Sequence, residues 1–125
     1  VMRFRNTLVE KIIMQGGVAR PDALPKEYLQ QIWESGVRKG HYRGFINFIR
    51  NAAKWEQARS VYAQINIPVV LVYGDKDWSN ENERKRNLDE IRGAKLETVE
   101  NGGHFLTLDQ PGEVIRLIKQ YASTT

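Results

Sequence analysis

Cysteine is absent from this 125-residue sequence. That excludes disulfide bridges, thiolate metal ligands and a cysteine nucleophile, and it gives a weak lean towards a reducing compartment, so a cytoplasmic location is the expectation. Long apolar runs are also missing. No stretch approaches the roughly 20 residues that cross a bilayer, and no charged start leads into an apolar run with a small-residue cleavage site. Runs of one charge are missing too. The net charge is +4, but Arg38, Lys39, Arg43, Arg50, Lys54 and Arg59 are interleaved with aromatics and acids. Such a mixed pattern describes solvated helix faces, and no nucleic-acid partner is expected. What remains, 41% hydrophobic and 27% charged residues, is the composition of one globular domain.

The apolar residues change period partway along the chain. Up to about residue 64 the spacing is helical. Phe4, Leu8, Val9, Ile12 and Ile13 share one face of a first helix that should stop at Gly16 and Gly17. Pro25 suits the first turn of a second helix carrying Tyr28, Leu29, Ile32 and Trp33, with Gly36 placed to supply a left-handed terminal residue. From His41 to Ile65, the apolar positions Tyr42, Phe45, Ile46, Ile49, Ala53, Ala58, Val61 and Tyr62 describe two helices or one broken helix. From Ile67 to Tyr73 the chain is continuously apolar and rich in β-branched residues, as in a strand buried on both faces. After the polar loop 75–79, Asn80 followed by Glu83 forms a capping-box pattern for a helix running to Gly93. A second strand is expected over 95–100. A helix from about Gln110 would then bury Val114, Ile115, Leu117, Ile118 and Tyr121. The order strand, helix, strand, helix predicts an α/β fold with two parallel strands, and functional groups on the loops at their carboxyl ends. Two segments are therefore expected, a helical one over 1–64 and an α/β one over 65–125.

Both of those loops carry a group capable of proton chemistry. Asp77 follows the first strand, and Gly102, Gly103 and His104 follow the second. A carboxylate that accepts the Nδ1 proton of an imidazole fixes its tautomer and stabilises the imidazolium formed when Nε2 takes a proton. The two glycines permit the backbone angles that would swing His104 over the sheet edge. Taken singly, Asp77 would be a turn residue and His104 an ordinary loop histidine; their order and placement favour a pair. His41, between Gly40 and Tyr42 and beside basic residues, reads as a surface histidine.

The segments Pro-Val-Val-Leu-Val-Tyr-Gly-Asp-Lys-Asp-Trp at 68–78 and Gly-Gly-His-Phe-Leu-Thr-Leu-Asp-Gln-Pro-Gly-Glu-Val at 102–114 resemble the last third of α/β-hydrolases. In that family a strand ending in Gly-x-x-Asp supplies the triad acid, a Gly-His turn supplies the base, and a closing helix opens near a proline. The resemblance implies that Gly74 is the turn glycine, Asp77 the acid and His104 the general base. Asp75 is the fallback acid, more in keeping with a turn residue or hydrogen-bond acceptor, and Lys76 and Trp78 are assigned no chemistry. It covers about residues 63–122. Residues 1–64 suit the helical cap that these enzymes insert before the acid strand. Trp33, Tyr42, Phe45, Phe48 and Trp55 are candidate pocket walls by that analogy, although aromatics at helical spacing pack a core more often.

A nucleophile is missing. The family places it on a Gly-x-Ser-x-Gly elbow ahead of the acid, and none of Ser35, Ser60, Ser79 and Ser123 has that setting. The oxyanion-hole loop is missing too, so the chain alone is expected to be inactive. Val1 enters a helical pattern without an initiator methionine, and the expectation is a C-terminal fragment of a longer hydrolase. Its uncovered strand edge and apolar faces should favour self-association or contact with the missing N-terminal half. The parent would be esterase-like or lipase-like, with a Ser-His-Asp triad acting on an ester or related bond of a small-molecule substrate. One alternative is an aspartate nucleophile, as in dehalogenases and epoxide hydrolases, where Tyr28, Tyr42 or Tyr62 would be tested as cap tyrosines. The other is a non-catalytic binding member of the fold. None of these readings needs a cofactor or a metal ion.

Overall fold

The computed structural model describes residues 7–123, with side chains from residue 12 onward. Phe4 and the side chains of Leu8 and Val9 therefore lie outside the described residues. The order of elements is α1 (Thr7–Gly16), α2 (Lys26–Gly36), α3 (His41–Arg50), α4 (Ala52–Ala58), β1 (Val70–Gly74), α5 (Glu81–Glu90), β2 (Lys95–Val99), α6 (Leu106–Asp109) and α7 (Pro111–Ala122), with 3-10 turns at Pro21–Ala23 and Arg59–Gln64. This is a mixed α/β fold.

β1 and β2 pair in parallel, with Val70 opposite Lys95 and Gly74 opposite Val99. Among the described residues they form a sheet of two strands, and α5 is the connection between them. The two faces of the sheet are covered by different helices. Tyr73 accepts a hydrogen bond on its hydroxyl from Asn87 of α5 (2.8 Å), and the Arg84 guanidinium lies over its ring. Side chains alternate along a strand, so Val70 and Val72 face the other way. There they line an apolar groove of about 470 Å³ with Val114, Leu117, Ile118 and Tyr121 of α7. On that same face Tyr121 donates its hydroxyl hydrogen to Glu97 of β2. Among the described residues tight burial is confined to Val18, Leu24, Ile91, Val99 and Leu117, one carboxylate, Asp109, and the glycines Gly17, Gly74, Gly102 and Gly103.

Several element boundaries differ from the sequence expectation, each for a local reason. β1 begins at Val70 rather than Ile67. Pro68 has no N–H to donate, Ile67 is 71% exposed, and the ladder starts with Lys95 N–H to the Val69 carbonyl (3.0 Å). Residues 70–73 are half-buried rather than buried on both faces, because the groove between the sheet and α7 leaves Val70 and Val72 incompletely covered. α5 has its capping box, with Glu83 N–H donating to Asn80 Oδ1 and Asn80 N–H to Glu83 Oε2, but it ends at Glu90 rather than Gly93. Ile91 leaves the helix in an extended conformation and is buried, and Gly93 serves the following turn with φ +74°. Gly36 is not left-handed. α2 runs on into Val37 in a right-handed conformation, and the positive φ falls on Gly40 (+90°), the residue before α3. The break between α3 and α4 falls at Asn51, whose side-chain amide donates to the Asn47 carbonyl (2.7 Å) and competes with continued helix. In α7, Leu117 is buried but Ile115 and Ile118 are exposed.

Among the described residues, two junctions join the helices up to residue 64 to the α/β part. Arg59 pairs with Glu90 of α5 (2.6 Å), and Arg86 bridges Glu90 and Glu56. The second junction is at the turn after α1, where residues 16–20 meet the loop after β2, and it shapes the site.

Candidate functional site

The carboxyl ends of two adjacent parallel strands must emerge side by side, and here the two loops are bonded backbone to backbone. Asp75 N–H donates to the Val99 carbonyl (3.0 Å) and Lys76 N–H to the Gly102 carbonyl (2.9 Å). Gly102 N–H returns to the Asp75 carboxylate (3.1 Å), so Asp75 is a hydrogen-bond acceptor in the turn. Lys76 Nζ donates to Asn101 Oδ1 (3.1 Å), which helps hold Asn101 at its left-handed φ of +54°. The loops meet at Gly74, where an added Cβ would lie 2.0 Å from the Gly102 carbonyl oxygen. That contact is backbone on backbone, and neither loop can move aside without breaking its ladder. Gly74→Ala should therefore cost about 3 kcal/mol, the upper end for overpacking, or roughly 10 °C in Tm. A thermal melt of the variant checks this, and a change of under about 1 kcal/mol would contradict the close approach.

This junction brings Asp77 and His104 together. Asp77 Oδ1 lies 3.4 Å from His104 Nδ1, a long hydrogen bond, with the Asp77 side chain only 9% exposed and His104 45% exposed. The same Oδ1 also accepts from Ser79 N–H (2.7 Å) and Ser79 Oγ–H (2.8 Å). Arg84 holds Ser79 in turn, through Nε to Oγ (3.1 Å) and a second nitrogen to the Ser79 carbonyl (2.9 Å). Burial pushes the Asp77 carboxyl pKa up, but the hydrogen bonds from Ser79 and His104 outweigh it and hold the group below its ordinary value. Asp77 is thus an oriented carboxylate. The sequence pattern Asp-x-Ser was the available signal for the Ser79 contact, because an Asp side chain commonly accepts the N–H two residues on.

His104 is gripped from its faces as well. The Trp78 ring stacks on the imidazole, with centroids 4.3 Å apart and planes inclined by 18°. Phe105 meets both rings edge-on. The Trp78 indole N–H donates to the Gly16 carbonyl (2.8 Å), and Phe105 N–H donates to the Gly17 carbonyl (2.8 Å). A Cβ at Gly17 would lie 2.3 Å from the Phe105 ring and 2.9 Å from that of Trp78, so Gly17, just past the end of α1, gives room for these aromatics. Trp78 carried no assigned role in the sequence.

The largest contribution missed from sequence is Asp109. Its carboxylate is 1% exposed and accepts three backbone N–H groups. Oδ2 takes Ala19 and Gly103, both at 2.8 Å, and Oδ1 takes Arg20 at 3.1 Å. The Arg20 guanidinium caps the Asp109 carbonyl (3.1 Å). One buried side chain thereby ties the turn after α1 to the Gly-Gly-His loop. No hydrophobic period or motif spacing points to such a residue.

Among the described residues no group of three or more His, Asp or Glu side chains is placed to hold a metal ion, and no helix is long and apolar enough to cross a membrane. His41 begins α3 and is half-buried. Of the aromatics expected in the cap, Trp33 is half-buried, Tyr42, Phe45, Phe48 and Trp55 are exposed, and the Phe48 and Trp55 rings pack at 4.0 Å.

No protein-family model matches the chain, and no curated protein does. Among solved structures it is similar to Cfl2 from Burkholderia cenocepacia, with a TM-score of 0.79 and 19% identity over 92% of this chain. The chain spans 40% of the length of the Cfl2 chain. At that identity the likeness speaks for the fold alone, and it places residues well beyond the two strands within a shared arrangement.

Proposed function

We propose that this chain is the C-terminal part of an α/β-hydrolase, in which Asp77 is the triad acid and His104 the general base. One observation carries the reading: the Asp77 carboxylate stands at His104 Nδ1, while Nε2, on a ring nearly half exposed, has no partner among the described residues. A hydrogen bond from Nδ1–H to the carboxylate leaves the Nε2 lone pair free to take a proton. The 3.4 Å separation is within the range over which such contacts tighten once a substrate is bound. The chain's own serines do not supply the nucleophile: none stands on a Gly-x-Ser-x-Gly elbow, Ser79 is bound to Asp77, and the Ser60 and Ser123 hydroxyls donate to the Gln57 and Lys119 carbonyls. The nucleophile and oxyanion donors belong to further polypeptide packed on the open side of β1, which the apolar groove beside Val70 and Val72 is suited to receive.

In this reading His104 removes the nucleophile's proton as it attacks an ester carbonyl, and then delivers that proton to the leaving alkoxide. Asp77 stays ionised throughout. Residues 1–125 alone should cleave p-nitrophenyl acetate no faster than free imidazole does. The protein completed by its nucleophile segment should turn it over, and His104→Gln should lower kcat about a thousandfold, the usual worth of a general base. A folded His104→Gln variant that retains full activity, or a completed protein inert towards activated esters, would remove the assignment.

A further inference from the structure

We infer that Trp78 is a positioning residue for His104, acting as a fixed aromatic wall that holds the imidazole in plane for the Asp77 hydrogen bond. The inference rests on the hydrolase reading for its catalytic consequence, and on geometry alone for the contact. Asp77 meets His104 at one atom and at 3.4 Å, which by itself leaves the ring free to rotate about the Cβ–Cγ bond. Rotation about that bond would sweep the ring through the space filled by the Trp78 indole, stacked at 4.3 Å and 18°.

The wall is itself anchored. Its backbone follows Asp77, which Ser79 and Arg84 hold; its indole N–H is bound to the Gly16 carbonyl; and its edge meets Phe105. The groups facing the His104 ring are thus the Asp77 carboxylate, the Trp78 face and the Phe105 edge. An indole face also attracts a cation, so the imidazolium formed during the reaction gains where the neutral ring gains less. Interactions stronger in the charged intermediate act on kcat rather than on KM.

Two measurements separate this inference from the functional reading. Proton and nitrogen-15 NMR of the chain reports the stacking without any need for a nucleophile. The His104 ring protons should lie upfield of those of His41, because they sit over an indole face. At a pH where the ring is neutral, the His104 nitrogens should show one dominant tautomer, with the proton on Nδ1. Trp78→Leu should remove the upfield displacement and let the two nitrogen signals converge. Trp78→Phe keeps an aromatic face but loses the anchor to Gly16, and should fall between the two. In the completed protein, Trp78→Leu should lower kcat about five- to tenfold with KM unchanged, as expected for loss of one stacking and cation–π contact.

A folded Trp78→Leu chain with unchanged His104 signals, or a completed variant with unchanged kcat, would overturn the inference. If Trp78→Leu does not fold, Trp78→Phe decides alone, by the same nitrogen signals. A completed protein that hydrolyses nothing, while the wild-type ring protons are displaced as expected, would sink the hydrolase reading and leave the positioning contact standing.

Discussion

Replacing Asp109 by alanine is expected to unfold the chain or bring it close to unfolding at room temperature. Three backbone N–H groups, from Ala19, Arg20 and Gly103, end on this one carboxylate, which is 1% exposed. The Gly103 bond is buried, and those from Ala19 and Arg20 are part-buried. A buried donor left unsatisfied costs about 1–3 kcal/mol, more when its lost partner was charged, so three together approach about 5 kcal/mol. That is comparable with the whole stability of a domain of this size. Asparagine is a sharper test because it preserves volume. Its single oxygen can serve the Ala19 and Gly103 donors at the Oδ2 position, but its NH2 would then face Arg20 N–H, donor against donor. Urea melts should rank wild type above Asp109→Asn above Asp109→Ala. Equal midpoints for all three would show that the turn after α1 is not held by this carboxylate.

Asp109 also shows where sequence reasoning reached its limit. Two of its three partners lie about 90 residues away in the chain, and the N–H groups it accepts are present in every residue except proline. Nothing in the side-chain pattern around Ala19 or Arg20 announces that their backbone needs an acceptor. Local signals fared better. The Asn80 and Glu83 pair and the helix opening at Pro111 depend on interactions within a few residues, the apolar run before Gly74 carries its signal in its own composition, and each appears close to where the sequence placed it. The boundary errors fell where a tertiary demand overrides the local preference, and the burial errors, at β1 and at Ile115 and Ile118, fell where a face is left accessible. Ile91 leaves α5 for the core, and Pro68 delays β1.

The candidate site was legible in part for a related reason. Parallel strands joined by a helix bring their carboxyl ends to one edge, so Asp77 and His104 could be placed together from topology and residue type alone. Of the supports, Ser79 had a signal in its Asp-x-Ser spacing and Trp78 had none. Trp78 meets His104 through a stack, and Ser79 completes the Asp77 environment through a short side-chain contact. Both depend on the loop conformation, which is set by the close approach of Gly74 to Gly102 and by the Gly16 carbonyl on the far side.

After His104→Gln, the next largest effect on activity under the proposed function is expected from Asp77→Asn, and the hydrogen bonds predict which part of the acid's role is lost. Ser79 offers two donors to Oδ1, its N–H and its Oγ–H, so the asparagine oxygen should occupy that position with the amide turned away. An oxygen therefore still faces His104 Nδ1, and the tautomer is retained. What disappears is the negative charge that stabilises the imidazolium. The completed protein should lose about a hundred- to a thousandfold in kcat, short of the roughly ten-thousandfold seen where an asparagine enforces the wrong tautomer. The nitrogen-15 signals of His104 should keep the Nδ1 proton; a proton moved to Nε2 would contradict the predicted orientation. Stability should respond to pH in a matching way. The folded Asp77 group sits below its ordinary value of 3.8, so its ionised form binds better in the folded chain than in the unfolded one. That contribution is fully present above the ordinary value and is lost as pH falls through the lower, folded one. Wild type should therefore exceed Asp77→Asn in urea midpoint at neutral pH, with the gap closing below about pH 4. A gap that widens on acidification would reverse the sign of the linkage. Because Asp77 remains ionised throughout the range in which the reaction would be assayed, any loss of rate on mild acidification arises elsewhere, and the Asp77→Asn enzyme should show it at the reduced level too.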